Sequence, residues 1–455
     1  MAQRGLPTAA PAGALLLLAL AAGGSPAGGA EPRRFPHVLL VTVDTLRADR
    51  LSGYGYGRPT TPRLDRLLQQ GARFAAARTV EPLTSPALTS LLTALEPHQH
   101  GATRNGLPMR RGLASFPKTL ARRGYRTAAF LGNWTLKDRL SGLGEHFQRY
   151  EVIVSRKRWF GVFAGEATAH DLTGGALAWL EGQLAAEPHR PVLLWVHYVE
   201  PHAPYRLQEA YAARLGIAGG QPSRADRYDT EIAFVDAEIG RLLDGVEALA
   251  GGASTLTVFA ADHGESLGEH GDWGHGRHLY EPAVRIPMGI AWPGRIAPRT
   301  VEAPALNLDV APTVLGLLGL PVPAGLRGYD WSGGLRGTAA LPDERTSCHQ
   351  AHKGAVQSVQ DAERARERGL LEVALVDAAG GKELWRLKSG ERGRFDLRRD
   401  PGESRNLEPA GAPPSPALQA CLAEVRAGLI ASDALPSGST DEETLEALRA
   451  LGYIE

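Results

Sequence analysis

Two runs far apart in the chain, Val38–Asp44 (VLLVTVD) and Thr255–Glu265 (TLTVFAADHGE), are apolar, β-branched stretches that end in a carboxylate. Each has the length of a buried strand, and in the second Asp262 is followed at once by His263. In open α/β sheets, ligands gather at the carboxyl ends of the strands. A buried Asp costs several kcal/mol of desolvation unless a cation or hydrogen bonds compensate. Asp44, Asp262 and His263 together therefore point to a metal site and to an enzyme.

The 455 residues, 43% hydrophobic and 22% charged, allow one large domain or a large and a small one. Fifty basic residues balance fifty acidic ones, so nothing argues for nucleic acid or an anionic membrane as partner. Arg4, the apolar run Ala14–Ala22 and small residues through Ala30 have the layout of a secretory signal cleaved after Ala30, with an uncleaved anchor as the alternative. No other segment approaches spanning length, so the expected location is secreted or periplasmic, with no transmembrane span in the mature chain. Cys348 and Cys421 fit either a disulfide or two free thiols.

From Pro36 to about Leu320, strand-like runs alternate with helical patterns, the signature of an α/β fold. The pattern predicts strands at Val38–Asp44, Arg126–Leu131, Val192–Tyr198, Leu256–Asp262 and Arg285–Trp292. It predicts helices at Pro62–Gln70, Ala87–Ala94, Thr168–Leu184, Tyr228–Ala248 and Val310–Leu318. A Gly/Pro-rich stretch and a polar stretch, Arg336–Lys353, suggest a signal over 1–30, a catalytic domain over 31–335 and a smaller α+β subdomain over 336–455. That subdomain shows strand-like pieces at Leu371–Asp377 and Glu383–Leu387. A Pro-rich linker, Gly411–Pro416, and an amphipathic helix, Thr440–Ile454, follow.

Four segments carry the chemistry: Val43–Tyr56, Leu83–Gly101, Trp195–Tyr205 and Ala261–Gly294. In this order they resemble the sulfatase family of the alkaline phosphatase superfamily. Thr60–Leu67, Tyr228–Asp244, Leu308–Pro321 and Phe395–Leu407 extend the likeness over nearly the whole chain after the signal. The resemblance implies a three-layer α/β sandwich around a mostly parallel sheet. It also implies one divalent metal ion (Ca, Mn, Mg or Zn) held by Asp44, Asp262 and His263. Read alone, Asp44 fits a helix N-cap as well.

The likeness breaks at the nucleophile. The family carries Cys or Ser, any residue, Pro, a small residue and Arg; here Thr84, Ser85, Pro86, Ala87 and Leu88 stand there. Thr cannot be oxidised to the formylglycine aldehyde, and Leu88 removes a cation. Gly132-Asn133-Trp134-Thr135 replaces a common Gly-Lys-Trp-His, removing two more sulfate-facing side chains. A Thr hydroxyl beside a divalent metal at a helix N-terminus is nonetheless a competent nucleophile, as in the family's phosphoryl-transferring relatives. Thr84 is accordingly expected as nucleophile and metal ligand, its alternative being that Thr84 or Ser85 caps the helix. His202 matches the substrate-facing His, and His275 stands where a Lys often meets the anion. His197 reads as structural, and His270 and His278 as loop residues. The expectation is an exported hydrolase of a sulfate or phosphate ester, on a small-molecule, glycan or lipid-derived substrate. A phospho-alcohol transferase and a degenerate binding protein on the same fold are the alternatives.

Overall fold

The computed structural model describes residues 35–430 except 159–162, 167, 218–219, 252–254, 343, 354–368 and 409–410. The signal-like start and the helix expected over Thr440–Ile454 lie outside the described residues. Eight strands form the main sheet: β1 (His37–Val43), β2 (Ala72–Phe74), β3 (Arg126–Leu131), β4 (Arg149–Val152), β5 (Val192–Tyr198), β6 (Thr255–Ala261), β7 (Met288–Ala291) and β8 (Arg299–Val301). Their order is β8-β2-β7-β6-β1-β5-β3-β4. From β6 to β4 every pairing is parallel, while β7 runs antiparallel to both β6 and β2. Every residue of β5 and β6 is buried, as is β1 beyond His37, which is why these strands read as unbroken apolar runs. The strand expected from Arg285 begins only at Met288, because Pro287 has no N–H to give to a ladder.

Helices cover both faces. α1 (Pro62–Gln69), α4 (Ala169–Ala186) and α5 (Arg224–Ala250) pack together; α2 (Thr84–Thr93), α3 (Phe116–Arg122) and α6 (Val310–Leu317) form the other set. Capping boxes start the two long helices, Thr168 with Asp171 and Ser223 with Asp226. Among the described residues no helix is long and apolar enough to cross a membrane.

A separate antiparallel sheet, β9 (Ser347–His352), β10 (Leu370–Val376), β11 (Gly381–Arg386) and β12 (Arg392–Asp396), carries α7 (Pro416–Ile430). Leu418, Cys421, Leu422, Val425 and Leu429 of α7 pack on Leu370 and Val373. A Cys348–Cys421 disulfide ties α7 to β9, closing a separation of 73 residues; a loop of that size stabilises the fold by roughly 4 kcal/mol in the chain-entropy account. β9 also docks on the chain that leads into α2: Gln350 N donates to Val80 O at 3.0 Å and His352 N to Glu81 Oε1 at 2.9 Å.

Buried neutral histidines make this packing acid-sensitive. Burial pushes His100 and His349 down to about 3. Ala102 N donates to His100 Nδ1 at 3.1 Å, and His349 Nδ1 donates to Thr79 O at 2.8 Å. Because the folded-state pKa lies below the unfolded one, this stability is complete above about pH 6.5. It is lost as pH falls toward 3, at roughly 1.4 kcal/mol per pH unit for each histidine. Calorimetry should show the melting temperature falling steeply between about pH 6 and pH 4; a flat profile there would contradict the assignment.

Candidate active site

The sheet ladder runs one residue past β1 and β6: Asp44 N donates to Tyr198 O at 2.9 Å and Asp262 N to Val43 O at 3.2 Å. Two carboxylates are thereby placed side by side on adjacent strand ends, both fully buried. After Asp44 the chain turns through Thr45 at φ +52°. Tyr228 of α5 holds that turn, its hydroxyl donating to Thr45 O at 2.6 Å and accepting from Arg47 N at 3.0 Å. Asp262 Oδ1 accepts from Thr45 N (3.1 Å) and His263 N (2.6 Å). Asp44 Oδ1 and Asp262 Oδ2 have no hydrogen-bond partner.

His263 Nδ1–H donates to Gly264 O at 2.9 Å, so its Nε2 lone pair turns into the site. Nε2 lies 3.7 Å from Asp44 Oδ1, 3.6 Å from Asp262 Oδ2 and 3.5 Å from Thr84 Oγ1. Burial raises Asp44, but the imidazoles of His197, His202 and His263 draw it below the usual carboxylate range. Burial and then the Asp44 charge push Asp262 well above that range, and burial pushes His263 down to about 3. Two orphaned carboxylate oxygens, each within 3.7 Å of the same ring lone pair, are a donor set a divalent cation satisfies. These residues fit such an ion.

Thr84 is the first residue of α2, earlier than the expected start at Ala87, and Leu83 takes the N-cap position without a side-chain bond. The capping role considered for Thr84 or Ser85 falls instead to Asn105, whose Oδ1 accepts from Ser85 N at 3.0 Å. The Thr84 hydroxyl sits at the positive end of the helix dipole, facing His263. Leu88, where the family has Arg, is packed into the main core.

His275 lies beside His263, ring centroids 4.4 Å apart, and His202 lies next to His275 at 5.3 Å. His202 Nδ1 donates to Ala203 O at 2.7 Å. His275 Nδ1 donates at 2.9 Å to Glu265 Oε1, and Tyr205 OH donates to Oε2 at 2.8 Å. Burial raises the Glu265 carboxyl, but His275, His202 and the Tyr205 hydroxyl together hold it below the ordinary value. Its place three residues past Asp262 was the available signal for Glu265.

Asn133 is a second residue whose role the sequence hid. Its Oδ1 accepts from Thr135 N (2.9 Å) and Thr135 Oγ1 (2.8 Å), which fixes the amide so that Nδ2 donates to Asp44 Oδ2 at 2.5 Å. Where the family's Lys would face sulfate, this amide orients a carboxylate. His197 of β5, expected to be structural, also points here, with Nε2 3.7 Å from Asp44 Oδ2. His270 and His278 stay outside: His270 stacks on Tyr280 at 3.7 Å, and His278 sits between Asp272 and Glu372.

Fold and site define the class: an α/β enzyme whose reactive groups collect at the carboxyl edge of a parallel sheet. The sulfatase family model matches residues 36–320. The chain belongs to the sulfatase family, hydrolases of sulfuric esters. It is 24% identical to an N-acetylglucosamine-6-O-sulfatase of Bacteroides thetaiotaomicron, over 83% of each chain. With arylsulfatase A of Homo sapiens it shares 28% identity over 76% of this chain and 75% of that one. A solved enzyme bound to its substrate D-glucosamine-2-N,6-O-disulfate superposes with a TM-score of 0.69 at 21% identity, over 88% of this chain and 99% of the other. The phosphonate monoester hydrolase of Agrobacterium radiobacter does so at 0.66 and 22%, over 87% and 95%. At these identities the structural likenesses speak to the fold.

Proposed function

We propose that the chain is an exported, metal-dependent hydrolase that uses unmodified Thr84 to cleave a sulfate ester. The observation that carries this is the Thr84 hydroxyl 3.5 Å from His263 Nε2, beside the unpaired oxygens of Asp44 and Asp262. Asp44, Asp262, His263 and Thr84 would hold the ion, which when bound lowers the hydroxyl pKa and neutralises developing charge. Thr84 Oγ1, its proton lost to solvent once the ion has lowered its pKa, attacks sulfur in line; an O–S bond forms as the S–O bond to the alcohol breaks. With Nδ1 committed to Ala203, His202 delivers its Nε2 proton to the departing oxygen. His275, fixed by Glu265, binds an oxygen of the transferred group. Water, giving a proton back to His202, then attacks sulfur; the new O–S bond forms as the Oγ1–S bond breaks, releasing sulfate and returning Thr84.

Asn133, committed to Asp44, and Leu88, committed to the core, favour a phosphate ester as the second reading, because the cations that face sulfate are gone. The signal-like start and the Cys348–Cys421 disulfide support an oxidising compartment outside the cytosol. We place the boundary between the catalytic domain, 31–335, and the smaller subdomain, 336–455, near Arg336. The purified protein, supplied in turn with Zn²⁺, Mn²⁺, Mg²⁺ and Ca²⁺, should cleave a chromogenic sulfate. Cleavage of phosphate mono- or diesters alone would favour the second reading. A new diester product would indicate the transferase, and inactivity on all would leave the binding protein.

A further inference from the structure

We propose that His197 is a further ligand of the ion at the Asp44–Asp262–His263 site, and that the two imidazoles select zinc over calcium or magnesium. The inference rests on the metal reading above. β1 and β5 pair with Thr42 opposite His197, which sets the imidazole beside the end of β1 where Asp44 follows. His197 is fully buried, and its Nε2 has no hydrogen-bond partner. Asp44, His197 and Asp262 each offer a ligand atom, all within 4.8 Å of one another.

The other ring nitrogen is spoken for. Trp195 Nε1 donates to Thr42 Oγ1 at 2.8 Å, and the same hydroxyl lies 2.9 Å from His197 Nδ1. A hydroxyl oxygen has a second lone pair, so it accepts the Nδ1 proton as well. That tautomer leaves the Nε2 lone pair facing the Asp44 carboxylate, 3.7 Å from Oδ2, two electron-rich groups side by side. The opposite tautomer would need Nε2–H to reach Asp44 Oδ2, but 3.7 Å is beyond hydrogen-bond range, and Asn133 already donates to that oxygen at 2.5 Å. A cation resolves the conflict in the first tautomer, and the Trp195–Thr42 pair is the outer-shell support that metal-binding histidines use.

The ligand set then has two nitrogens, from His197 and His263, beside the oxygens of Asp44, Asp262 and Thr84. Calcium and magnesium prefer oxygen ligands, whereas imidazole suits zinc.

The test uses the full chain, stripped with a chelator and titrated calorimetrically with Zn²⁺ and with Ca²⁺. His197→Ala should weaken Zn²⁺ binding by more than about 100-fold, beyond the roughly 10–100-fold loss expected for an outer-shell partner, and change Ca²⁺ binding little. X-ray absorption on the zinc-loaded wild-type protein should show two imidazoles, a readout that stands even if the variant fails to fold. One imidazole in that spectrum would overturn the proposal. So would a His197→Ala protein that binds Zn²⁺ like wild type while His263→Ala does not. If His263→Ala also binds Zn²⁺ unchanged, the underlying metal reading fails with it.

Discussion

Replacing Thr84 by alanine is expected to abolish turnover, by roughly 10⁴-fold or more, while the fold stays intact. The two effects separate because of where Thr84 sits. It is the first residue of α2, its hydroxyl caps nothing, and alanine is at least as good a helix former at that position. The structural cost is a small buried void, about 1 kcal/mol, readable as a slight drop in melting temperature. The catalytic cost is the hydroxyl oxygen placed to attack beside His263. Steady-state kinetics with circular dichroism checks both. Activity retained in a folded Thr84→Ala protein would remove Thr84 from the mechanism.

Replacing Asp262 by asparagine should act in opposite directions with and without metal. Burial and the adjacent Asp44 charge hold Asp262 well above the usual carboxylate range, so without a metal its ionised form is disfavoured there. Asparagine removes that penalty, and the metal-free variant should melt at or above the wild-type temperature. Wild-type protein should gain about 2.7 kcal/mol at a metal concentration one hundred times the dissociation constant, and the variant should gain almost nothing. Turnover should be lost as well. Differential scanning calorimetry across a metal titration measures this; a variant stabilised as much as wild type would place the ion elsewhere.

Much of this was legible in the sequence because strand ends carry the chemistry. β3 and β5 match their predicted spans to the residue, since nothing but buried apolar runs is compatible with a parallel sheet covered on both faces. The small sheet was harder. β9 reads SCHQAH, a polar string, yet five of its six residues are buried because the strand docks between β10 and residues 79–81. There, tertiary pairing overrode propensity. α7 did carry a signal, apolar residues from Leu418 to Leu429 at helical spacing, hidden by the preceding Pro-rich linker.

The site shows the same division. Asp44, Thr84, Asp262, His263, His202 and His275 stood in recognisable motifs, and the fold brings them together. Asn133 and His197 did not announce themselves. Asn133 looked like a lost Lys, and only the amide direction imposed by Thr135 shows it serving Asp44. His197 lies inside an apolar strand where sequence alone favours a satisfied core histidine. Which of its nitrogens is satisfied becomes visible only across the β1–β5 register.

The most direct test of Thr84 as an unmodified nucleophile is mass spectrometry of the peptide containing it. The metal-loaded enzyme would be acid-quenched during turnover of a chromogenic sulfate or phosphate ester. The resting peptide should have the mass of unaltered threonine, and the quenched one should gain a single sulfuryl or phosphoryl group mapped to Thr84. A turning-over enzyme that carries no such group, or carries it on another residue, would contradict the account.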